Sequence, residues 1–460
     1  MSMVTSFRPR TRRNVELVLL LLAITIVLVA YLNVGLAIGG QFPPDLILYG
    51  FGLLVLSVGF HLVLRWRASY ADPLMLPIAT LLNGLGLVMI HRLDLAYDRT
   101  GSRLLAPKQL IWSTLAVLLA AGVIIVLRDH RQLRRFTFTA MALGLGMLLL
   151  PLVPGLGRNI NGSRIWIGIG PLSFQPGEVA KILLVIFFAG YLVQTRDALS
   201  LVGSRFLGIG LPRAKDLGPI LLAWLASVGV LVFEKDLGSS LMFFGVFVAM
   251  LYVATERRSW IAIGMLLFCA GSYIAYLSFG HVQTRVLLWL HPFSEEAIAT
   301  SDQLVRGLMG MAKGGLLGSG LGRGHPEITY FPESDFIFPS FGEEIGLIGL
   351  FALLMLYVLL VERGLRTALG VRDGFGKLLA VGLSFSMALQ CFVVVGGVTR
   401  VIPLTGLTMP FLSYGGSSLL ANWSLVALLL RISDQARRPL PDAEELATAS
   451  EAHTQVVRIQ

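Results

Sequence analysis

"VELVLLLLAITIVLVAYLNVGL", residues 15–36, carries a single charge, Glu16. Wound as a helix, it is about 33 Å long, which matches a bilayer hydrocarbon core of about 30 Å. It follows "RPRTRR" (8–13), and it has no small-residue cleavage site, so it reads as an anchor rather than a removed leader. Runs of this kind recur along the whole chain. The 460 residues have a mean hydropathy of +0.77, with 55% hydrophobic and 14% charged residues. That leaves too little polar sequence to clothe a soluble fold. A β-barrel would show short alternating segments instead. The expected class is an all-α polytopic membrane protein.

Twelve spans are expected, near 15–36, 45–65, 74–91, 109–127, 136–153, 177–194, 217–233, 237–255, 260–278, 343–362, 376–397 and 407–430. With the N-terminus inside, the inner segments include "RPRTRR", "RDHRQLRR", "TERRSW" and the tail starting "RISDQARR", so both termini are cytoplasmic. Together the inner segments hold roughly two thirds of all Lys and Arg, as the positive-inside rule requires. The formal net charge of +10 therefore reads as topology and not as a nucleic-acid interface. Cys269 and Cys391 both fall in apolar runs and read as buried small hydrophobes rather than a disulfide or metal pair. No internal repeat is evident, which weakens a transporter reading.

This orientation leaves three notable outer pieces: 154–177, the "EKD" junction at 234–236, and a large extracytoplasmic loop at 279–342. A loop that long is usually functional or disordered, and its middle, "GLMGMAKGGLLGSGLGRG", is too apolar for simple disorder. "DQLVRGLMGMA" (302–312) reads as a short interfacial helix.

Several outer residues stand out against this background. Glu178 and Lys181 share a helix face just inside a span, either as a structural ion pair or as the lining of a polar cavity. Arg164, beside Trp166, reads as an interfacial anchor or an anion ligand. Asp236 starts a span, where the helix dipole favours an acid; it also suits a second carboxylate or metal ligand facing the same cavity. Arg400 is a lone cation at a span end. Ser417 belongs to "SYGGSS", which packs helices through small residues or breaks a helix beside a cavity. Arg158, Arg285, Arg306, Lys313 and Arg323 add cations on the side that the positive-inside rule depletes, which points to an anionic ligand such as phosphate.

"YFPESDFIFPSFGEEIG" (330–346) holds four carboxylates. Glu343 and Glu344 read as the start of a span, and Glu333 has no evident role. Asp335 is followed by Phe336-Ile337-Phe338, surroundings that raise a carboxyl's proton affinity and exclude water, as a general base needs.

Four stretches in order resemble the SEDS family, the RodA/FtsW/SpoVE group of bacterial cell-wall polymerases. They are "NGSRIWIGIGPLSFQPGEVAK", "EKDLGSSL", "ESDFIFPSFGEEIGLIG" and "IPLTGLTMPFLSYGGSSLLAN". The resemblance covers roughly residues 74 to 432. "FEKDLGSSL", "HVQTRV", "GGVTRVIPLTG" and "LLANW" look more like the actinobacterial RodA type than FtsW. The chain departs from the pattern in three places. It has twelve expected spans where the family has ten; Lys235 replaces the proline before the span aspartate; and "FPESDF" is about two residues shorter than the family's stretch. The implied organisation is a cytoplasmic N-terminus (1–14), an extra helix pair (15–73), a glycosyltransferase core (74–432) and a disordered cytoplasmic tail (433–460).

The resemblance implies a peptidoglycan glycosyltransferase in the bacterial cell membrane. Such an enzyme polymerises lipid II, a disaccharide-pentapeptide on undecaprenyl diphosphate, at the outer face for cell elongation and shape. It implies inverting transfer with Asp335 as base, and Arg164, Glu178, Lys181, Asp236, Arg400 and Ser417 toward the substrate. A divalent metal, Mg or Mn, is the one cofactor it leaves open. The implied partner is a class B penicillin-binding protein, whose transmembrane helix packs near 343–397, alongside membrane lipid. Three rival readings remain: a lipid II flippase, the division-specific FtsW paralogue, and a non-catalytic scaffold.

Overall fold

The computed structural model describes residues 11–439, apart from 99–103, 161–162, 170–171, 201–203, 207–208 and most of 212–235. Among the described residues the chain forms fourteen α-helices, and eleven helical segments are long and apolar enough to cross a membrane. The expected span at 217–233 and the tail beyond 439 lie outside the described residues.

The helices begin with α1 (Arg13–Gly39), α2 (Leu46–Arg67), α3 (Met75–Asp98), α4 (Ala106–Val126), α5 (Thr137–Leu149) and α6 (Pro176–Ser200). They continue with α7 (Leu237–Thr255), α8 (Ser259–Ser278), α9 (Gly280–Leu290), α10 (Glu295–Thr300) and α11 (Gln303–Gly314). The last three are α12 (Ile337–Gly370), α13 (Gly374–Val398) and α14 (Gly416–Arg437). The core is built around α3, α6, α13 and α14, the four most buried of the spans. α14 packs on α4, α5 on α6, and α12 on α13. The additional pair joins this body through α1 on α3 and α2 on α4. α8 is almost wholly exposed, which puts Cys269 on an exposed face and corrects the expectation that both cysteines are buried; Cys391 is buried as expected.

Three segments differ from their reading as sequence. The outer piece 154–177 contains a three-stranded antiparallel sheet of β1 (Gly157–Ile160), β2 (Ser163–Ile169) and β3 (Leu172–Phe174). The segment 279–342 is not one irregular loop: it carries α9, α10 and α11, the last matching the short helix expected at 302–312. The last span starts at Gly416 instead of 407. Residues 407–415 are non-helical, since Pro410 cannot donate to a helical ladder and Phe411 has φ 65°.

α12 is broken at Gly346, whose φ of 67° and ψ of −173° are open to glycine but strained for other residues. The 315–320 turn clasps both sides of the break. Ser319 and Gly320 donate their N–H groups to the carbonyls of Glu343 and Glu344. Leu347 and Ile348 donate to the carbonyls of Gly315 and Leu316. The backbone groups that the break frees are thereby satisfied.

Candidate active site

Where α6, α7, α12 and α14 begin, the chain encloses a cavity of about 540 Å³. Its walls come from Gln175 before α6, Asp236 before α7, Arg285 and Trp289 on α9, Phe331 and residues 333–335 before α12, and residues 404–406, Thr408 and Tyr414 before α14. β2 adds Ser163, Ile165 and Trp166.

Asp335 lies two residues before the first turn of α12. Phe336, Ile337 and Phe338 are buried and pin the segment into the core. The backbone before α14 holds it from the other side. The Tyr414 N–H donates to the Glu333 carbonyl at 2.7 Å, and the Ser413 hydroxyl donates to the Ser334 carbonyl at 2.7 Å. Ser340 Oγ donates back to the Pro332 carbonyl at 3.1 Å. The carboxylate is thus presented on a fixed backbone, as a reacting group requires.

Burial pushes the Asp335 carboxyl up from 3.8 to about 6. A hydrogen bond from Ser334 and the charge of Arg285 oppose the rise, while the charges of Glu333 and Asp236 add to it. Asp236 is also pushed up by burial, although its oxygens accept from the Ser239 N–H at 3.1 Å and the Ser239 hydroxyl at 2.6 Å. Glu234 is pushed up to about 8, first by burial and then by the charge of Asp236; its Oε1 is buried with no hydrogen-bond partner. Desolvation lowers the proton affinity of the Arg285 guanidinium, while Asp236 and Asp335 raise it. The cavity therefore sets one guanidinium among three lining carboxyls, Asp236, Glu333 and Asp335.

A family model described as "Cell cycle protein", FtsW/RodA/SpoVE, matches residues 73–438. The chain belongs to this family. It is 50% identical over 433 residues to "Peptidoglycan glycosyltransferase RodA" of Mycobacterium tuberculosis, covering 94% of this chain and 92% of that protein. It is 33% identical over 376 residues to "Stage V sporulation protein E" of Bacillus subtilis, covering 81% of this chain and 99% of that protein. Among solved structures, Thermus thermophilus RodA matches with a TM-score of 0.57 at 26% identity, covering 82% of this chain and all of that one. A chain from work on "polymerization and crosslinking by a peptidoglycan synthase complex" matches with a TM-score of 0.63 at 26% identity, covering 80% and 98%.

In this FtsW/RodA/SpoVE protein the expected site residues separate into three groups. Asp335 and Asp236 line the cavity together, and Asp236 also caps α7. Glu178 and Lys181 form their ion pair at 2.9 Å, but they lie behind the wall. Lys181 also donates to Gln390 Oε1 at 2.7 Å, and Gln390 Nε2 donates to the carbonyl of the wall residue Thr408 at 2.9 Å. The pair braces the cavity from behind and does not line it. Arg164 and Ser417 do not line it either; Arg164 is exposed, while Ser417 is buried in the first turn of α14. Arg400 lies outside the cavity and bonds to the end of α9.

Of the five other cations, only Arg285 lines this cavity. Arg306 pairs with Asp302 and Lys313 with Glu343. Glu333, which had no role in the sequence, lines the cavity beside Asp335; the signal was its spacing of two residues from that acid.

Glu343 and Glu344 do not begin a helix. They end the short segment of α12 before Gly346, where a helix dipole disfavours acids. Ion pairs hold them instead. Arg92, buried in α3, bonds Glu344 and also Glu327, while Glu343 takes Lys313 at 2.9 Å and the His325 N–H at 2.8 Å. Among the described residues no group of three or more His, Cys, Asp or Glu is arranged to hold a metal ion. The described donor set does not fit a protein-held divalent cation.

Proposed function

We propose that this multi-pass peptidoglycan glycosyltransferase polymerises lipid II in the cavity around Asp335, with Asp335 as the general base. The observation that carries the reading is a fixed carboxyl, raised to about 6, in a cavity that also holds Arg285. The acceptor is a sugar hydroxyl, a poor nucleophile until its proton is removed. A base with a proton affinity just below neutral is ionised at working pH yet still takes a proton. The donor departs as a lipid diphosphate, and Arg285 offsets that charge in a partly desolvated site. A good leaving group needs no strong acid, so one essential carboxylate suffices. Direct displacement inverts the anomeric carbon.

The distribution of the basic segments supports cytoplasmic termini and a cavity on the outer face. A class B penicillin-binding protein is the proposed partner. Leu347, Phe351, Met355 and Val358 form an exposed apolar stripe along α12, suited to a transmembrane helix.

The test is polymerisation of lipid II in detergent by the purified protein with its partner. Wild type is expected to yield glycan polymer, and Asp335→Asn to lose about 10²–10⁴-fold in rate. Undiminished polymer from the variant would remove Asp335 as base. Lipid II crossing liposomes with no polymer formed would favour a flippase.

A further inference from the structure

Arg400 has φ 67°, a left-handed conformation that is strained for a residue with a side chain. The hydrogen bonds of its guanidinium all run to one place, the end of α9. Its Nε donates to the Trp289 carbonyl at 2.9 Å, and its Nη2 to the Leu290 carbonyl at 3.1 Å. In return, the Trp289 indole Nε1–H donates to the Arg400 carbonyl at 3.0 Å. Capping the last carbonyls of α9 requires only the guanidinium. The third bond is different in kind, because it fixes the plane of an indole that a helix cap has no reason to hold.

Trp289 lines the cavity, as does Trp166 from β2. Trp289 stands four residues after Arg285 on α9, so the two side chains share a face about one turn, or 5.4 Å, apart. A guanidinium followed at that distance by an aromatic face matches a diphosphate and the sugar ring attached to it. Both faces of such a ring carry C–H bonds, which pack on the electron-rich face of an indole. Gln175, Gln303, Ser173 and Thr405 surround the same space with neutral hydrogen-bonding groups suited to hydroxyls and amides.

We propose that Trp289 is the stacking platform for the sugar ring adjoining the lipid diphosphate, and that Arg400 is the positioning residue that holds the platform. The proposal rests on the polymerase reading of the cavity and adds the place of the sugar to it.

The test is equilibrium binding in detergent to full-length protein carrying Asp335→Asn, with lipid II and sugar-free undecaprenyl diphosphate as the two probes. Trp289→Ala should weaken lipid II binding about ten-fold, the equivalent of 1.4 kcal/mol, and leave the sugar-free lipid unchanged. Trp289→Phe, which keeps an aromatic face and preserves the packing, should recover most of the loss. Arg400→Ala should shift the indole fluorescence and reproduce the selective loss in part. Equal losses for both probes, no loss for lipid II, or a Phe variant as weak as Ala would each overturn the assignment. If the Asp335→Asn background itself polymerises lipid II while the Trp289 effect stays sugar-selective, the base assignment fails and the platform stands.

Discussion

Asp335→Asn should make the protein more stable as it makes it inactive, and the gain should depend on pH. In the unfolded chain the carboxyl titrates at an ordinary value near 3.8, and in the fold at about 6. Between these values the folded protein keeps a proton that the unfolded chain has released, so stability falls as pH rises through that window. Above it, the ionised carboxylate costs on the order of 3 kcal/mol at about 1.4 kcal/mol per pH unit, or about 1–3 kcal/mol once water in the cavity is allowed for. Asparagine keeps the size and an acceptor oxygen without the charge. At pH 7.5 the variant should therefore melt a few degrees above wild type in detergent, and at pH 4 the two should converge. The assay is a thermal unfolding series across that range, run beside lipid II polymerisation. A variant less stable than wild type at pH 7.5, or one whose gain is the same at both pH values, would refute the desolvated-base account.

Wild-type polymerisation should rise with pH along a limb centred near 6, as Asp335 ionises. Arg285→Gln removes the positive charge that favours ionised Asp335, so a pH–rate series should show that limb moving to higher pH as well as a lower plateau. Arg92→Met strands Glu344 as a buried, unpaired acid and should cost about 3–5 kcal/mol of stability, whereas adding Glu344→Met should restore most of the loss. Thermal midpoints of the two single variants and the double variant measure the coupling directly.

The spans were legible because about twenty apolar residues in a row have few other homes. Asp335 was legible for a related reason, as a charge held between a polar turn and a triplet that must be buried. The Glu178–Lys181 pair could be read from its i, i+3 spacing, but its brace through Gln390 could not, since that partner is 209 residues away. The same limit hid Arg92, which meets Glu344 across 252 residues. Residues 407–415 misread as helix because "LTMPFLSYG" runs without a charge into the apolar last span, although Pro410 and the left-handed Phe411 turn the chain there. Trp166 looked like an interfacial anchor's neighbour, since nothing local shows that β2 turns toward a cavity.

The interruption at Gly346 also has a mechanical meaning. Thirty-four residues in one unbroken helix would be a stiff rod, and a push anywhere along it would arrive at Asp335 undiminished. Here the rod is two levers. The long arm, after Gly346, carries the exposed apolar stripe, and the short arm, before it, carries the residues next to the Asp335 carboxyl. They are coupled by four backbone hydrogen bonds through the 315–320 turn, which directly follows α11. The outer surface of α12 is thus linked both to the Asp335 segment and to α11, whose first turn supplies Gln303 and Leu304 to the same cavity.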